Sequence, residues 1–212
     1  MHTPDGYLHP WMAGAFLALA GVALTAAASR GRADLTDRRV DLFAVVAAGI
    51  FAAQLLDWPI PGGTSAHFVG GALAGVALGP HLGALAVGVV VAVQALAFGD
   101  GGVLALGANV WNMAVVEVYV GYAVYRALAG RSETVALVAA GWVGVTAAAL
   151  SAGLQLGLSP GFDLLATVAV VAGGHAALGV GEGLLTLAGA RLLSVALPDD
   201  SDDAETPEVA RA

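Results

Sequence analysis

Apolar runs, each about as long as a bilayer is thick and each closed by a short polar turn, limit this chain more than any other feature. A helix needs about 20 apolar residues to cross the hydrocarbon core. Inside that core every peptide N–H and C=O must be bonded within the protein, so segments of this kind can only be helices. The pattern predicts an all-α, polytopic membrane helical bundle of about seven transmembrane helices. They fall near residues 10–29, 42–56, 68–78, 82–98, 110–128, 134–156 and 164–195. The third is short for a crossing and is expected to begin in the loop before it. The seventh is long, so it should tilt, kink near Gly173 and Gly174, or extend beyond the bilayer.

Composition excludes the soluble alternative. Hydrophobic residues make up 58% of the chain and charged residues 11%, against about 25% charged in a soluble domain. The first run lacks a basic leader and has Asp5 in that place, so it is not expected to be a cleaved signal. Residues 1–197 are expected to form one transmembrane domain. Residues 198–212 form an acidic tail with too few apolar residues to fold alone. There is no cysteine, which removes disulfides, thiolate metal sites and cysteine nucleophiles.

Charge orients the bundle. There is no lysine. Arg30, Arg32, Arg38 and Arg39 lie between the first two runs, Arg126 and Arg131 between the fifth and sixth, and Arg191 and Arg211 near the end. Seven crossings place all eight on one side, which is cytoplasmic by the positive-inside rule. The amino terminus and the loops near residues 59–67 and 99–107 are then outside, and the carboxyl terminus is cytoplasmic.

On that outer side the chain starts Met1-His2. A terminal amine, the following amide nitrogen and an imidazole can close small unstrained chelate rings on one ion. Such a nitrogen set suits nickel(II), cobalt(II) or copper(II) better than magnesium or calcium. A bulky His2 should also protect Met1 from removal. The loop ending Thr64-Ser65-Ala66-His67 is rich in turn formers. Thr64 and Ser65 either satisfy the loop backbone or hydrogen-bond at the site. Asn109 and Asn112 either orient a ligand or cap a helix. His175 and Glu182 lie on nearly one helix face and form either an inner polar network or a structural cluster; Glu117 and Gln94 admit the same two readings. His9 and His81 read as interfacial, and Trp11, Trp58 and Trp111 as an aromatic belt.

Several segments together resemble the CbiM/NikM family, the substrate-binding membrane component of energy-coupling-factor cobalt and nickel importers. They are Met1-His2-Thr3-Pro4-Asp5-Gly6-Tyr7-Leu8, Pro61-Gly62-Gly63-Thr64-Ser65-Ala66-His67, Phe98-Gly99-Asp100-Gly101-Gly102 and Ala105-Leu106-Gly107-Ala108-Asn109-Val110-Trp111-Asn112-Met113, with His175 and Glu182-Gly183. Thr3, Ala66 and Phe68 depart from the usual aliphatic residue, glycine and leucine. The resemblance implies a roughly planar metal site made by the Met1 amine, the His2 amide and ring nitrogens, and His67. It also implies cobalt or nickel as cargo, no organic cofactor, a transmembrane coupling subunit, cytoplasmic ATPases and, in some systems, a small accessory membrane subunit.

The residues narrow function in the same direction. A phosphate loop needs a lysine that this chain lacks, so ATP hydrolysis is expected on partner subunits, with no catalytic residues here. Ser65 and His67 stand too close in sequence, without a nucleophile elbow, to suggest a hydrolase. A stand-alone metal channel or secondary carrier is the alternative, although no repeated halves are visible.

Overall fold

The computed structural model describes residues 1–60 and 64–196, and the side chains of these apart from 57–60 and 64–66. The chain enters α1, Pro10–Gly31, through a proline at its first position, where the missing N–H costs nothing. A 3-10 turn, Arg32–Asp34, leads to α2, Asp37–Gln54, whose start is capped by the Thr36 hydroxyl accepting from Arg39 N. An antiparallel hairpin follows, β1 (Asp57–Ile60) and β2 (Thr64–His67), pairing Asp57 with His67 and Ile60 with Thr64. This hairpin corrects the purely α expectation at one loop. Its prolines and glycines read as irregular turn in sequence, and only the cross-strand pairing reveals the strands.

The next helix, α3 (Gly71–Val93), is not one straight rod. Gly79 sits at φ 78°, ψ 162°, ahead of Pro80. A Cβ on Gly83 would lie 2.7 Å from the main chain of Ala74. Nine residues along an unbroken helix would separate these positions by about 13 Å, so the chain reverses at Gly79 into a helical hairpin. Glycine is needed twice: at Gly79 for positive φ, and at Gly83 for close approach. The second arm ends in a π-helical turn, Gln94–Phe98.

A further rod runs from α4 (Leu106–Val110) through a π-helical segment, Trp111–Glu117, into α5 (Val118–Leu128). After it come α6 (Glu133–Gly157) and α7 (Leu164–Ala196). The two meet backbone to backbone, because a Cβ on Gly141 would lie 2.8 Å from Gly183 Cα. Gly179 and Gly183 are therefore a packing seam against α6. α7 stays helical through Gly173 and Gly174, so its length is taken up by tilt or extension. The 198–212 tail lies outside the described residues.

By length and composition Pro10–Asp34, Glu133–Gly157 and Leu164–Ala196 can each cross a membrane, and Gly71–Phe98 is as long and as apolar, although the reversal at Gly79 divides it into two arms. Buried positions on α7, namely Val171, His175, Gly179, Glu182, Gly183 and Thr186, follow one face. Leu178, Val180, Leu184 and Leu185 on the other are about half exposed, as a lipid-facing helix requires.

Candidate metal site at the amino terminus

The first residues do not trail into solvent. Met1 is 2% exposed, His2 5% and Thr3 2%. Thr3 is clamped on both sides of its peptide link. Its N–H donates to Asn109 Oδ1 at 2.8 Å, and its carbonyl accepts from Asn109 Nδ2 at 3.1 Å and from Gly102 N at 3.0 Å. Asp5 Oδ1 accepts from Leu104 N at 2.8 Å and Ala105 N at 3.2 Å, just ahead of α4. A carboxylate there meets amides the helix leaves unpaired and the positive end of its dipole. The terminus is thus stitched to the Gly99–Leu104 loop and to the start of α4.

That loop admits the terminus only because it lacks side chains. Gly101 has φ +86°, and a Cβ on it would sit 3.1 Å from His2 Cδ2 and 3.0 Å from Asn109 Nδ2. His2 Nδ1 lies 3.4 Å from Asp100 Oδ1. Burial pushes the Asp100 carboxyl up, opposed by the positive amino terminus.

β2 carries His67 onto the opposite side of His2. The two rings stack, with centroids 4.7 Å apart and planes 20° apart. His67 Nδ1 is 2.9 Å from the Phe68 carbonyl oxygen. A carbonyl can only accept, so Nδ1 carries the proton and Nε2 the lone pair. Nε2 is buried and has no hydrogen-bond partner among the described residues. Burial holds the His67 imidazole well below the ordinary histidine range. The amino terminus, His2 and His175 push the same way, and the Phe68 bond opposes them. An imidazole kept neutral with its lone pair unspent is the form a metal needs. Among the described residues no three His, Asp or Glu side chains converge as a metal cluster.

The remaining candidates separate. Asn109 holds the terminus in place. Asn112 pairs with Gln155 instead, through bonds of 3.0 and 2.8 Å, and so braces the π segment against α6. The side chains of Thr64 and Ser65 lie outside the described residues. His175 donates from Nδ1 to Val171 O at 2.8 Å, leaving a buried Nε2 without a partner among the described residues, and it lies within electrostatic range of His67. Glu182 is engaged elsewhere: its carboxyl oxygens accept from Val69 N and Gly70 N, both at 2.9 Å. His9 bonds through its main chain to Ser159 Oγ, and His81 to the Tyr119 hydroxyl at 2.9 Å. Asp5, Asp100 and Gly101 were missed as individual contributors. The Phe98–Gly102 turn was visible, but which groups it would meet depends on contacts about 100 residues away in sequence.

Comparison with known proteins places the chain as a whole. The fused nickel transport protein NikMN of Archaeoglobus fulgidus, provisionally so named, is 50% identical over 98% of this chain and 70% of its own length. The cobalt transport protein CbiM of Sorangium cellulosum is 32% identical over 94% of this chain and 91% of its own. A crystal structure of a transition metal transporter superposes with a TM-score of 0.89 at 30% identity, over 96% of this chain and 97% of that one. The family described as the cobalt uptake substrate-specific transmembrane region matches residues 2–199. The chain therefore belongs to the CbiM family, and it is a multi-pass membrane component of cobalt or nickel transport rather than an enzyme.

Proposed function

We propose that this chain captures nickel(II) or cobalt(II) on the outer side of the membrane and hands it inward. The ion is held by the Met1 amine, the His2 amide and ring nitrogens and His67 Nε2. The observation that carries the reading is the meeting of a buried Met1-His2 terminus with a neutral imidazole whose Nε2 is buried and unpartnered. Four nitrogens in a plane favour nickel(II) over ions that demand more ligands. The greater similarity to a relative named for nickel points the same way. Asp100 beside His2 supplies negative charge against the incoming cation.

We read the bundle as crossing seven times, with the amino terminus outside and the carboxyl terminus inside. The reversal of α3 at Gly79 and the clustering of arginines between α1 and α2 and between α5 and α6 support that reading. With no lysine for a phosphate loop, import against a gradient draws on a transmembrane coupling subunit and cytoplasmic ATPases, as in energy-coupling-factor importers. A small accessory membrane subunit belongs to the same scheme.

The test is calorimetric titration of nickel(II) and cobalt(II) into protein with a native amino terminus. It is compared with protein extended by two residues ahead of Met1, with His67→Ala, and with His9→Ala and His81→Ala. Extension removes the amine donor and should abolish tight binding. His67→Ala should weaken binding at least as much as losing a group bonded to a ligand, about 10–100-fold. The other two should bind like the parent. Equal affinity for extended and native protein would overturn the assignment.

A further inference from the structure

Glu182 stands 115 residues from His67 in sequence and on another helix, yet the two are joined through a single peptide group. Val69 N–H donates to Glu182 Oε2 at 2.9 Å, and Gly70 N–H to Oε1 at 2.9 Å. The carbonyl of the Phe68–Val69 peptide is the oxygen that accepts from His67 Nδ1 at 2.9 Å. The N–H and C=O of a trans peptide point to opposite sides of one plane. The carboxylate therefore grips one edge of the peptide and the imidazole the other.

We infer that Glu182 is a positioning residue for the metal ligand His67, acting through the Phe68–Val69 peptide. The inference rests on the reading above that His67 Nε2 binds the ion. A carboxylate accepting from an N–H polarises that peptide and strengthens its carbonyl as an acceptor. A stronger acceptor at Phe68 fixes the proton on Nδ1, fixes the ring plane and makes Nε2 a better donor. In many metal sites a carboxylate binds the ligand histidine directly; here one peptide is interposed.

The surroundings leave little freedom for another arrangement. Val69 is fully buried, and its carbonyl accepts from Gln54 Nε2 at 2.6 Å. Gly70 has φ +78°, and a Cβ there would lie 2.7 Å from Ile50 Cγ1. Gly71 N–H donates to Glu117 Oε1 at 2.8 Å. The turn between β2 and α3 is thus held from α2, from the π segment and from α7. Of these three, only Glu182 engages the peptide that His67 also engages. Glu117 satisfies an N–H of the first helical turn, one step farther away, and hydrogen-bonds the Glu182 carboxyl from there.

The experiment is a double-mutant cycle on the full chain with its native amino terminus, read by nickel(II) titration and by the visible spectrum of the copper(II) complex. Four proteins are compared: parent, E182Q, H67A and the double variant. A glutamine accepts from one of the two N–H groups but turns its own N–H toward the other. E182Q should weaken nickel binding about 10–100-fold and shift the copper band toward that of H67A. In the H67A background the same change should cost less than twofold, because its only route to the ion has gone. An equal loss in both backgrounds would overturn the inference, since it would show that Glu182 acts on the fold at large. If H67A binds like the parent, the ligand assignment itself fails, a different outcome. Should E182Q not yield monodisperse protein, E182D, which keeps the carboxyl group and shortens the reach, is read in the same cycle with the same criteria.

Discussion

His67 shows how a side chain's environment fixes its chemistry before any ion arrives. The Phe68 carbonyl occupies Nδ1, the His2 ring covers one face, and burial disfavours the charged form. This has a consequence for the metal-free protein. The unfolded chain takes up a proton on this imidazole near pH 6.5, whereas the folded chain does so only at clearly lower pH. Between those values the unfolded state binds more protons, so stability falls as pH falls. Above about 6.5 both states are neutral and the group contributes no slope. The loss is at most about 1.4 kcal/mol for each pH unit inside the window. Apparent melting temperatures of chelator-treated protein in detergent should drop more between pH 7.5 and 5.5 for the parent than for His67→Gln. Equal drops would show that His67 is not held neutral.

At the scale of the elements, most of the fold was legible because a bilayer leaves so few choices. Apolar runs near residues 10–29, 134–156 and 164–195 became α1, α6 and α7. The expectation that one run ends at 78 and the next begins at 82 brackets the reversal at Gly79. The β1–β2 hairpin and the π segments were not legible, since neither has a periodicity that a short stretch betrays. The site divides the same way. Met1, His2 and His67 follow from donor chemistry and resemblance. That Asn109 clamps Thr3, and that Glu182 grips Val69 and Gly70, depends on contacts between residues more than 100 apart in sequence. The hairpin in α3 is testable on its own. A Cβ at Gly83 would press on the Ala74 main chain, which cannot swing aside. Gly83→Ala should therefore cost about 1–3 kcal/mol by overpacking. Gly14, where a Cβ meets open space, should tolerate alanine or gain from its better helix propensity, by up to about 1 kcal/mol. Thermal unfolding of the two variants in one detergent measures both. A Gly83→Ala protein as stable as the parent would mean that the two arms of α3 do not touch as described.

For the whole molecule, the decisive property is that its two ends differ in charge and in chemistry. Arg30, Arg32, Arg38 and Arg39 cluster where α1 gives way to α2, and Arg39 reaches the Leu78 carbonyl at the reversal of α3. Arg191 near the end of α7 pairs with Glu133 at the start of α6, at 3.0 Å. The buried terminus, His67 and Asp100 meet at the opposite end, to which α4 and the second arm of α3 lead. An excess of arginine marks the cytoplasmic side, so the metal site should open outward. The chain has no cysteine, and single cysteines can report sidedness without further engineering. Ala33, exposed in the arginine-rich turn, and Val103, half-exposed beside the site, are suitable positions. In intact cells a membrane-impermeant thiol reagent should label Val103→Cys and leave Ala33→Cys unmodified until the membrane is opened. Labelling of both from outside, or of Ala33→Cys alone, would invert or abolish the seven-crossing topology. The site would then face the cytoplasm, where a capture role in import has no meaning.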